Sequence, residues 1–461
     1  MTNLYSLLSF SGCMALSGAM AAAQPRTGPR AQDSAVPLPN FVIIMADDMG
    51  YGDIGCFGNK TIRTPALDQM AAEGMLLSDY HSNGAVSTPT RAALLTGRYQ
   101  QRAGLEGVLL TTSEKHRRSG LQPQEVTFAR VLSANGYRTA MFGKWHLGYL
   151  AKYNPATVHG FGEFTGFLSG NVDYKAFLDS QGRYDWWHRD SVEQTAGYLT
   201  DVINRSGVDF IRRNAGEPFC LYLAHGCPHS PYQGPDDPPV RTRGSAGTGD
   251  VPGKSREECY REMIERLDLG IGLVMEALKE TGIDRNTLVI FVSDNGPTVP
   301  GSAGGLRGAK GDLFEGGHRV PAIVRMPSTI KASSRSAQTI LSMDIFPTML
   351  DMAGVRFEAG DRPLDGLSFV PALRGDRMPA RTLFWRSGGM KAAREGRWKY
   401  VEVETGRGPN KKSEQMLFDL DVDLSEQNNV IGTNRGVAAS LRQKLDDWQR
   451  SVDSDVPEQT K

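Results

Sequence analysis

Five short apolar runs recur along the chain from about residue 40, and segments with helical patterns separate them. Apolar runs of about four to eight residues bounded by polar segments are typical of strands that are buried on both faces of a parallel or mixed sheet. The alternation predicts an α/β domain in which helices flank one large mixed sheet. The predicted strands are FVIIMA (41–46), TAMFG (139–143), FCLYLA (219–224), TLVIFVS (287–293) and PAIVRM (321–326).

Other segments complete the predicted architecture. Apolar residues repeat at helical spacing from Ile264 to Leu278, and Gly282 follows where a helix C-cap is expected. Residues 231–256 are dense in Pro, Gly and charge, which predicts a long surface loop, either a substrate-facing lid or a disordered insertion. After residue 375 the pattern favours a small antiparallel sheet and a last helix. We predict a large domain over 39–375 and a small C-terminal α+β domain over 376–461.

Charge and length limit the class of partner. The chain has 461 residues with 52 basic and 52 acidic side chains, so its formal net charge is zero. A molecule without a net positive field is not expected to bind nucleic acid, and a site for an anion must carry its own local cations.

The N-terminus favours export. Residues 1–23 contain a moderately apolar run that ends in small residues, which predicts a signal peptide, although this leader has no early Lys or Arg and a disordered leader is the alternative. Cys13 is a weaker candidate for lipidation. Residues 24–38 are interpreted as a linker, and no later segment is long and apolar enough to span a membrane. We therefore expect a periplasmic or secreted protein, in which Cys220 and Cys227 either pair or stay buried thiols.

Polar residues directly follow four of the predicted strands. Because the carboxyl ends of strands in an open α/β sheet border one crevice, these residues should converge on a single site. Two of the groups are Asp47-Asp48 and Asp294-Asn295, which offer only oxygen ligands and so favour a hard cation over zinc. Ca²⁺ is the first choice, since it accepts irregular coordination by oxygen, and Mg²⁺ is less favoured.

A helix start lies between the first two strands. In Ser87-Thr88-Pro89-Thr90-Arg91, Thr88 fits an N-cap and Pro89 fits the first helical position. The free amides of such a terminus bind anions, and Arg91 in the first turn adds a full positive charge.

These motifs, together with Lys144-x-His146 and Gly-Ala-Lys310-Gly, resemble the formylglycine-dependent sulfatase family. The resemblance runs from about residue 40 to 327, and segments near 396–399 and 418–420 are similar to the family's smaller domain. It implies an alkaline-phosphatase-like fold and hydrolysis of sulfate esters. Residues 95–102 are similar to bacterial members that act on sulfated polysaccharides and on N-acetylgalactosamine-sulfate-type substrates, so a sulfated poly- or oligosaccharide is the expected substrate.

The resemblance also implies a role for each site residue. Ser87 would be oxidised to formylglycine and would share the Ca²⁺ with Asp47, Asp48, Asp294 and Asn295. The remaining roles are as follows: Arg91 holds the modified residue, Lys144 and Lys310 contact the sulfate, His146 bonds a hydroxyl of the hydrated aldehyde, His229 serves the leaving group with His225 as a rival, and Arg307 and His225 bind substrate. Asp185, Trp186, Trp187 and His188 either contact a sugar ring or have a core or lid role.

Most family members carry Cys where this chain has Ser87. The chain is then either a serine-type member, activated by a radical-type maturating enzyme, or a protein with an unmodified serine. An unmodified Ser87 leaves two alternatives, namely metal-dependent phosphoester hydrolysis by the serine and non-catalytic binding of sulfated glycans.

Overall fold

The computed structural model describes residues 37–245, 247, 249–358, 360, 362–406, 410 and 412–456. The predicted signal peptide, Cys13 and residues 24–36 of the predicted linker lie outside these described residues. No helix within the described ranges has the length and apolar composition of a membrane span.

Sixteen strands and ten α-helices are defined in the described residues. The strands are β1 (Asn40–Ala46), β2 (Met75–Leu77), β3 (Tyr80–His81), β4 (Arg138–Lys144), β5 (Glu163–Phe167), β6 (Trp187–His188), β7 (Ser191–Val192), β8 (Phe219–Ala224), β9 (Thr287–Ser293), β10 (Ala322–Arg325), β11 (Ser334–Ser336), β12 (Ile340–Leu341), β13 (Thr382–Ser387), β14 (Met390–Glu395), β15 (Trp398–Thr405) and β16 (Lys412–Asp419). The helices are α1 (Pro65–Glu73), α2 (Ser87–Thr96), α3 (Glu114–Arg118), α4 (Phe128–Ala134), α5 (Leu199–Asn214), α6 (Arg256–Glu280), α7 (Glu315–His318), α8 (Ile345–Ala353), α9 (Val370–Arg374) and α10 (Arg435–Ser454).

The large sheet has ten strands in the order β11-β2-β10-β9-β1-β8-β4-β5-β6-β7. Its centre, from β9 to β5, is parallel, and β10 joins β9 in the antiparallel direction. Every residue of β1, β8 and β9 is buried. Side chains alternate along β1, so that Phe41, Ile43 and Met45 enter one core layer while Val42, Ile44 and Ala46 enter the layer on the opposite face. The five predicted strands and the mixed, helix-flanked sheet are confirmed.

Helix α6 begins earlier than its apolar repeat indicated. The helix starts at Arg256, and Ser255 caps it: the Ser255 hydroxyl accepts from the Glu258 amide at 3.2 Å, while the Ser255 amide donates to the Glu258 carboxylate at 3.1 Å. The preceding loop packs on the domain, since Gln233 and Arg241 are buried and the Arg241 amide donates to Asp173 at 2.9 Å. This part of the predicted loop is therefore ordered.

The C-terminal strands β13 to β16 form a separate antiparallel sheet in sequence order, and α10 packs on it through Leu441, Leu445 and Trp448. The predicted small antiparallel sheet is confirmed, while the boundary after residue 375 stays a prediction. Cys220 and Cys227 are both free thiols. Their side chains belong to core layers on opposite faces of the large sheet, which explains why they do not pair.

Candidate active site

Four neighbouring strands deliver polar residues to one edge of the large sheet. In the register of the sheet, Ala46 of β1 pairs with Ser293 of β9, Met45 pairs with Ala224 of β8, and Ala224 pairs with Gly143 of β4. The residues that come next in each strand therefore lie side by side, as the carboxyl ends of parallel strands should. They are Asp47 after β1, Asp294 after β9, His225 after β8 and Lys144 at the end of β4.

Three carboxylates meet at this edge. Asp47, Asp48 and Asp294 are buried, and each offers an oxygen within 4.8 Å of those of the other two. Consecutive side chains of an extended strand point in opposite directions, but Asp48 adopts a left-handed φ of 65° that Asp tolerates. The sharp turn lets both aspartates reach the same centre. Asn295 joins them, since its amide nitrogen donates to Asp48 Oδ1 at 2.8 Å.

Each carboxylate contacts one buried or half-buried cation. Lys144 Nζ donates to Asp47 Oδ2 at 2.6 Å, and Lys310 Nζ donates to Asp48 Oδ2 at 2.8 Å. Arg91 donates to Asp294 Oδ2 through both Nε at 3.1 Å and a terminal nitrogen at 2.8 Å. Three positive and three negative groups thus compensate one another, which is how charges are tolerated away from water.

The charges in this cluster alter the acidity of its members. Burial alone would raise the pKa of Asp47, but Lys144 and the neighbouring cations hold it below its usual range. Burial likewise opposes ionisation of Asp48, and His229 and Lys310 hold its pKa below its usual range. Burial lowers the pKa of Lys144. At Lys310 burial also opposes the charged form, but the carboxylates of Asp48, Asp47 and Asp294 together outweigh it and raise the pKa.

Ser87 is the first residue of α2 and lies against this cluster. Its hydroxyl donates to Asp47 Oδ1 at 3.1 Å and accepts from Lys144 Nζ at 3.2 Å, and Asn295 Oδ1 lies 3.4 Å away. The side chain is buried together with the first turn of the helix. The oxygen at position 87 therefore touches both a carboxylate and a cation of the cluster.

The predicted capping of α2 is wrong in detail. Val86 occupies the N-cap position and no side chain caps the helix, so Thr88 and Pro89 lie inside its first turn. The Thr88 hydroxyl is used elsewhere: it donates to the His146 carbonyl at 3.1 Å and accepts from the Leu109 amide at 3.3 Å. Helix α2 therefore begins at Ser87 without a side-chain cap, and the free amides of its first turn can bind an anion.

His146 lies just beyond β4. The strand ends at Lys144 and His146 has a φ of 54°, so the two side chains are not related in the way that residues two apart in an extended segment are. Its Nε2 lies 3.0 Å from the Leu109 carbonyl, which only accepts, so Nε2 carries a proton. Burial and the charge of Lys144 hold the pKa of His146 well below its usual value.

The two candidate proton donors, His229 and His225, differ in solvent exposure. His229 keeps 16% of its side chain exposed, and its Nε2 lies 3.7 Å from Asp48 Oδ2. Its Nδ1 donates to the Ser230 carbonyl at 2.7 Å. His225 is completely buried, and neither ring nitrogen has a protein partner among the described residues. Burial and the nearby Arg91 lower the pKa of His225 to about 3, so its ring is neutral. Its assignments as a substrate-binding residue and as a rival to His229 stay predictions.

Arg307 is engaged away from the acidic cluster. Its guanidinium stacks on Phe314 at 3.7 Å and donates to the Glu426 carbonyl at 2.8 Å. Its assignment as a substrate-binding residue stays a prediction.

The segment from Asp185 to His188 contacts the core and the neighbouring backbone. Trp186 is buried in the core, and Asp185 accepts from the Leu168 and Ser169 amides at 3.1 and 2.8 Å. Trp187 donates to the same carboxylate at 2.7 Å. Asp185 thereby holds the segment next to Gly170, whose backbone lies against the His146 ring.

Two supporting residues did not emerge from the sequence. The Ser293 hydroxyl accepts from the Met49 amide at 3.0 Å and donates to the Asn295 carbonyl at 3.1 Å, so it joins the two acidic loops. Asp53 accepts from the Gly50 amide, the Ser302 amide and the Tyr260 hydroxyl. Their position beside the acidic pairs was the available signal, but one serine at a strand end and one loop aspartate are common features of any sheet protein.

Comparisons with known proteins agree with this geometry. The profile described as Sulfatase matches residues 39–355, and the one described as N-sulphoglucosamine sulphohydrolase, C-terminal, matches residues 309–451. Steryl-sulfatase of Mus musculus is 34% identical over 425 residues, which cover 73% of this chain and 65% of that protein. N-acetylgalactosamine-6-sulfatase of Canis lupus familiaris is 34% identical over 378 residues, covering 76% of this chain and 69% of the relative.

Solved structures extend the comparison to the fold. The crystal structure of Ps i-CgsB in complex with k-i-k-neocarrahexaose has a TM-score of 0.77 at 29% identity, over 89% of this chain and 92% of that chain. This similarity confirms the expected alkaline-phosphatase-like fold class.

Proposed function

The chain belongs to the sulfatase family, and from this membership we propose that it hydrolyses sulfate esters on a sulfated carbohydrate. The observation that carries the proposal is the convergence of three carboxylates and three cations on the side chain at position 87. A sulfate ester and the charge that develops on its oxygens during cleavage both require such cations.

We propose Ca²⁺ as the metal. The donor set fits, because its ligand atoms are the carboxylate and amide oxygens of Asp47, Asp48, Asp294 and Asn295. The carboxylate oxygens already lie within 4.8 Å of one another. Asp47 and Asp294 each bond a cation through Oδ2, while Oδ1 of Asp47 accepts from the Ser87 hydroxyl and Oδ1 of Asp294 accepts from the Asp48 amide. A carboxylate oxygen has more than one lone pair, so each Oδ1 can also bind a metal ion. The cations already balance the carboxylates, so a bound divalent ion would supply a net positive charge that attracts and polarises the sulfate.

The protein's own cations have distinct tasks in this proposal. Arg91 and Lys144 are buried and fixed by Asp294 and Asp47, so they hold the residue at position 87 and one side of the sulfate. Lys310 keeps 20% of its side chain exposed, which places it on the solvent side where substrate enters. Fixed charges of this kind stabilise the transition state without having to reorganise.

His229 is the proposed proton donor to the departing sugar oxygen. Its ring is partly exposed, and its Nδ1 proton bonds the Ser230 carbonyl, so Nε2 is the nitrogen that can face a substrate. Nε2 donates when the ring is doubly protonated, the form that the carboxylate of Asp48 favours against burial. His146 is proposed to hold an oxygen at position 87 through Nδ1, since Nε2 is engaged by Leu109 and Nδ1 has no hydrogen-bond partner in the part of the chain that the structure describes.

We propose that Ser87 is converted to formylglycine. When present, this group supplies a hydrated aldehyde with one hydroxyl to attack sulfur and a second to release the sulfate afterwards. Ser87 and the four residues that follow it are buried in the folded chain. A radical-type maturating enzyme would therefore have to act before the domain folds, and export to the periplasm or outside the cell would follow.

The proposal that the substrate is a carbohydrate is supported by the relatives rather than by the site alone. One relative is named for N-acetylgalactosamine-6-sulfate chemistry, and the structure of Ps i-CgsB was solved with k-i-k-neocarrahexaose. We extend the carbohydrate class, but not the individual sugar, to this chain.

The decisive experiment is the mass of the tryptic peptide 64–91 from protein made in the native host. We expect the loss of two hydrogens, located at Ser87 by fragmentation, because Ser78 and Ser82 in the same peptide serve as internal controls. The Ser87→Ala variant should lose the mass change and all hydrolysis of an aryl sulfate and of a sulfated oligosaccharide.

Other outcomes select the alternatives. An unmodified Ser87 with turnover of an aryl phosphate would show a metal-dependent phosphoester hydrolase. An unmodified Ser87 with neither activity, but with retained binding of sulfated glycans, would show a binding protein.

A further inference from the structure

The loop that carries Lys310 is held at its base by the C-terminal domain. This loop, residues 307–314, lies between β9 and α7 and leads directly into α7. Its two ends are joined by the Gly316 amide, which donates to the Arg307 carbonyl at 2.7 Å. The backbone is packed tightly there, since a Cβ on Gly316 would lie 2.3 Å from the Gly308 carbonyl oxygen.

One residue of the C-terminal domain bonds both ends of this loop. The Glu426 carboxylate accepts from the Glu315 amide at 2.6 Å, and the Glu426 carbonyl accepts from the Arg307 guanidinium at 2.8 Å. Glu426 is fully buried, and it adopts a left-handed φ of 54° that is unfavourable for Glu. Such backbone strain persists only where surrounding contacts enforce it.

A buried lysine fixes Glu426 in turn. Lys399 of β15 is completely buried, and its Nζ lies 2.9 Å from carboxylate oxygens of both Glu315 and Glu426 and 3.1 Å from His318 Nε2. The cluster of His81, Glu315 and His318 could in principle hold a metal. However, Lys399, Arg319 and Arg394 already supply three positive charges to it, so we assign it to this ion-pair network.

From these contacts we propose that Glu426, held by Lys399, is a positioning residue for Lys310. Two further hydrogen bonds connect this loop to the site. The Lys310 amide donates to the Pro297 carbonyl, and the Gly311 amide donates to the carbonyl of Ala85, two residues before Ser87. α7 also supports the metal-ligand loop, since the Gly296 amide donates to the Gly317 carbonyl at 2.9 Å. This inference rests on the proposed function of Lys310 and makes the C-terminal domain part of the active site.

Hydrogen–deuterium exchange tests the positioning role without reference to activity. In Glu426→Ala, the amides of residues 307–314 should exchange faster than in the wild type, since the end of the loop at Glu315 loses its bond to the carboxylate and the backbone carbonyl that bonds Arg307 is no longer fixed through Lys399. The matched control is Glu414→Ala, which removes an exposed carboxylate of the same domain and should leave this loop unchanged. Unchanged exchange in the Glu426→Ala loop, in protein whose near-UV circular dichroism is native, would overturn the proposal.

A double-mutant cycle with Lys310→Ala tests the link to catalysis. Glu426→Ala should lower kcat/KM for a sulfate ester by about tenfold in the wild-type background, because a small displacement of a substrate contact is costly. In the Lys310→Ala background the same change should cost less than about twofold. Equal losses in both backgrounds would mean that Glu426 acts only on overall stability, and would overturn the proposal.

A conservative variant keeps the test valid if the alanine variant fails to fold. Glu426→Gln retains an oxygen for the Glu315 amide and the backbone carbonyl for Arg307, so its loop exchange should stay close to that of the wild type. Loop exchange as fast as in a destabilised Glu426→Ala would contradict this. A wild-type protein that hydrolyses no sulfate ester would refute the proposed function, whereas the exchange experiment would still decide the role of Glu426.

Discussion

At the scale of single residues, the burial of His159 makes the free energy of unfolding depend on pH. Its ring is completely buried beside Trp145, and its Nε2 lies 3.2 Å from the Leu121 carbonyl. Its Nδ1 has no hydrogen-bond partner among the residues described. Burial and the nearby Arg130 lower the pKa of His159 to about 3. In the unfolded chain a histidine titrates near pH 6.5, so between these values the unfolded state binds the additional proton.

The sign of the effect follows from this difference. The contribution of His159 to stability is complete above about pH 6.5 and is lost as the pH falls towards 3. In His159→Gln, which can still donate to Leu121 but cannot titrate, the loss of unfolding free energy between pH 7.5 and 4.5 should be smaller by roughly 2–3 kcal/mol. Urea denaturation at both pH values measures it.

His188→Gln is the matched control, because the His188 side chain is 58% exposed. Identical pH dependence in the wild type and His159→Gln would contradict the prediction.

At the scale of elements, the end of β4 depends on a glycine that brings two neighbouring strands close. Gly143 has a φ of 112°, and a Cβ at this position would lie 2.0 Å from the Ala224 carbonyl oxygen of β8. The facing Gly166 of β5 is equally restricted, since its Cβ would lie 1.9 Å from the Gly143 carbonyl oxygen. This close approach sets the position of Lys144, the next residue.

We expect Gly143→Ala to lower the unfolding free energy by about 3 kcal/mol or more, because backbone atoms must move apart. Gly136→Ala is the control: Gly136 also has a positive φ, 86°, but a Cβ there meets nothing within 4 Å. It should lose only roughly 1 kcal/mol from the left-handed conformation. Equal losses in the two variants, measured by urea denaturation, would show that contact with β8 is unimportant.

Helix starts and left-handed residues mark the limit of prediction from sequence. The five central strands are predictable because strands covered on both faces are almost wholly apolar, as in β9. The first residue of α2 is not, because distant partners decide it: Thr88 bonds His146 and Leu109 rather than capping its own helix. The left-handed residues Asp48 and His146 likewise have no signal in the apolar pattern.

At the scale of the whole molecule, the two sheets share a core and a buried set of charges. Trp385 of β13 donates to the Ser82 carbonyl at 2.9 Å, and Arg394 of β14 donates to Asp79 at 2.8 Å. One apolar cluster contains Ala93 and Tyr99 of the large domain together with Leu417 of β16. Sequence patterns indicate both sheets but not this interface, because the bonded partners lie about 300 positions apart along the chain.

This interface predicts that the two sheets unfold together. Separation of the small sheet would expose Trp385 and Lys399, which are both fully buried. It would also remove Arg394 from Asp79 and Lys399 from Glu315, so that Arg319 alone would have to compensate both carboxylates. Unpaired buried charges are costly, so an intermediate with only one sheet folded should not be populated. Calorimetry of the full chain should show one transition whose van't Hoff and calorimetric enthalpies agree.

The interface itself is tested by comparing two tryptophans of the small sheet. Trp385→Ala should lower the stability of both sheets by roughly 3–5 kcal/mol, so that β1 and β15 lose protection from hydrogen exchange at the same, lower urea concentration. Trp398→Ala, at a half-buried position of β15, should have a much smaller effect. If β15 lost protection in Trp385→Ala while β1 kept its wild-type protection, the small sheet would be an independent unit and the shared core would not couple the two domains.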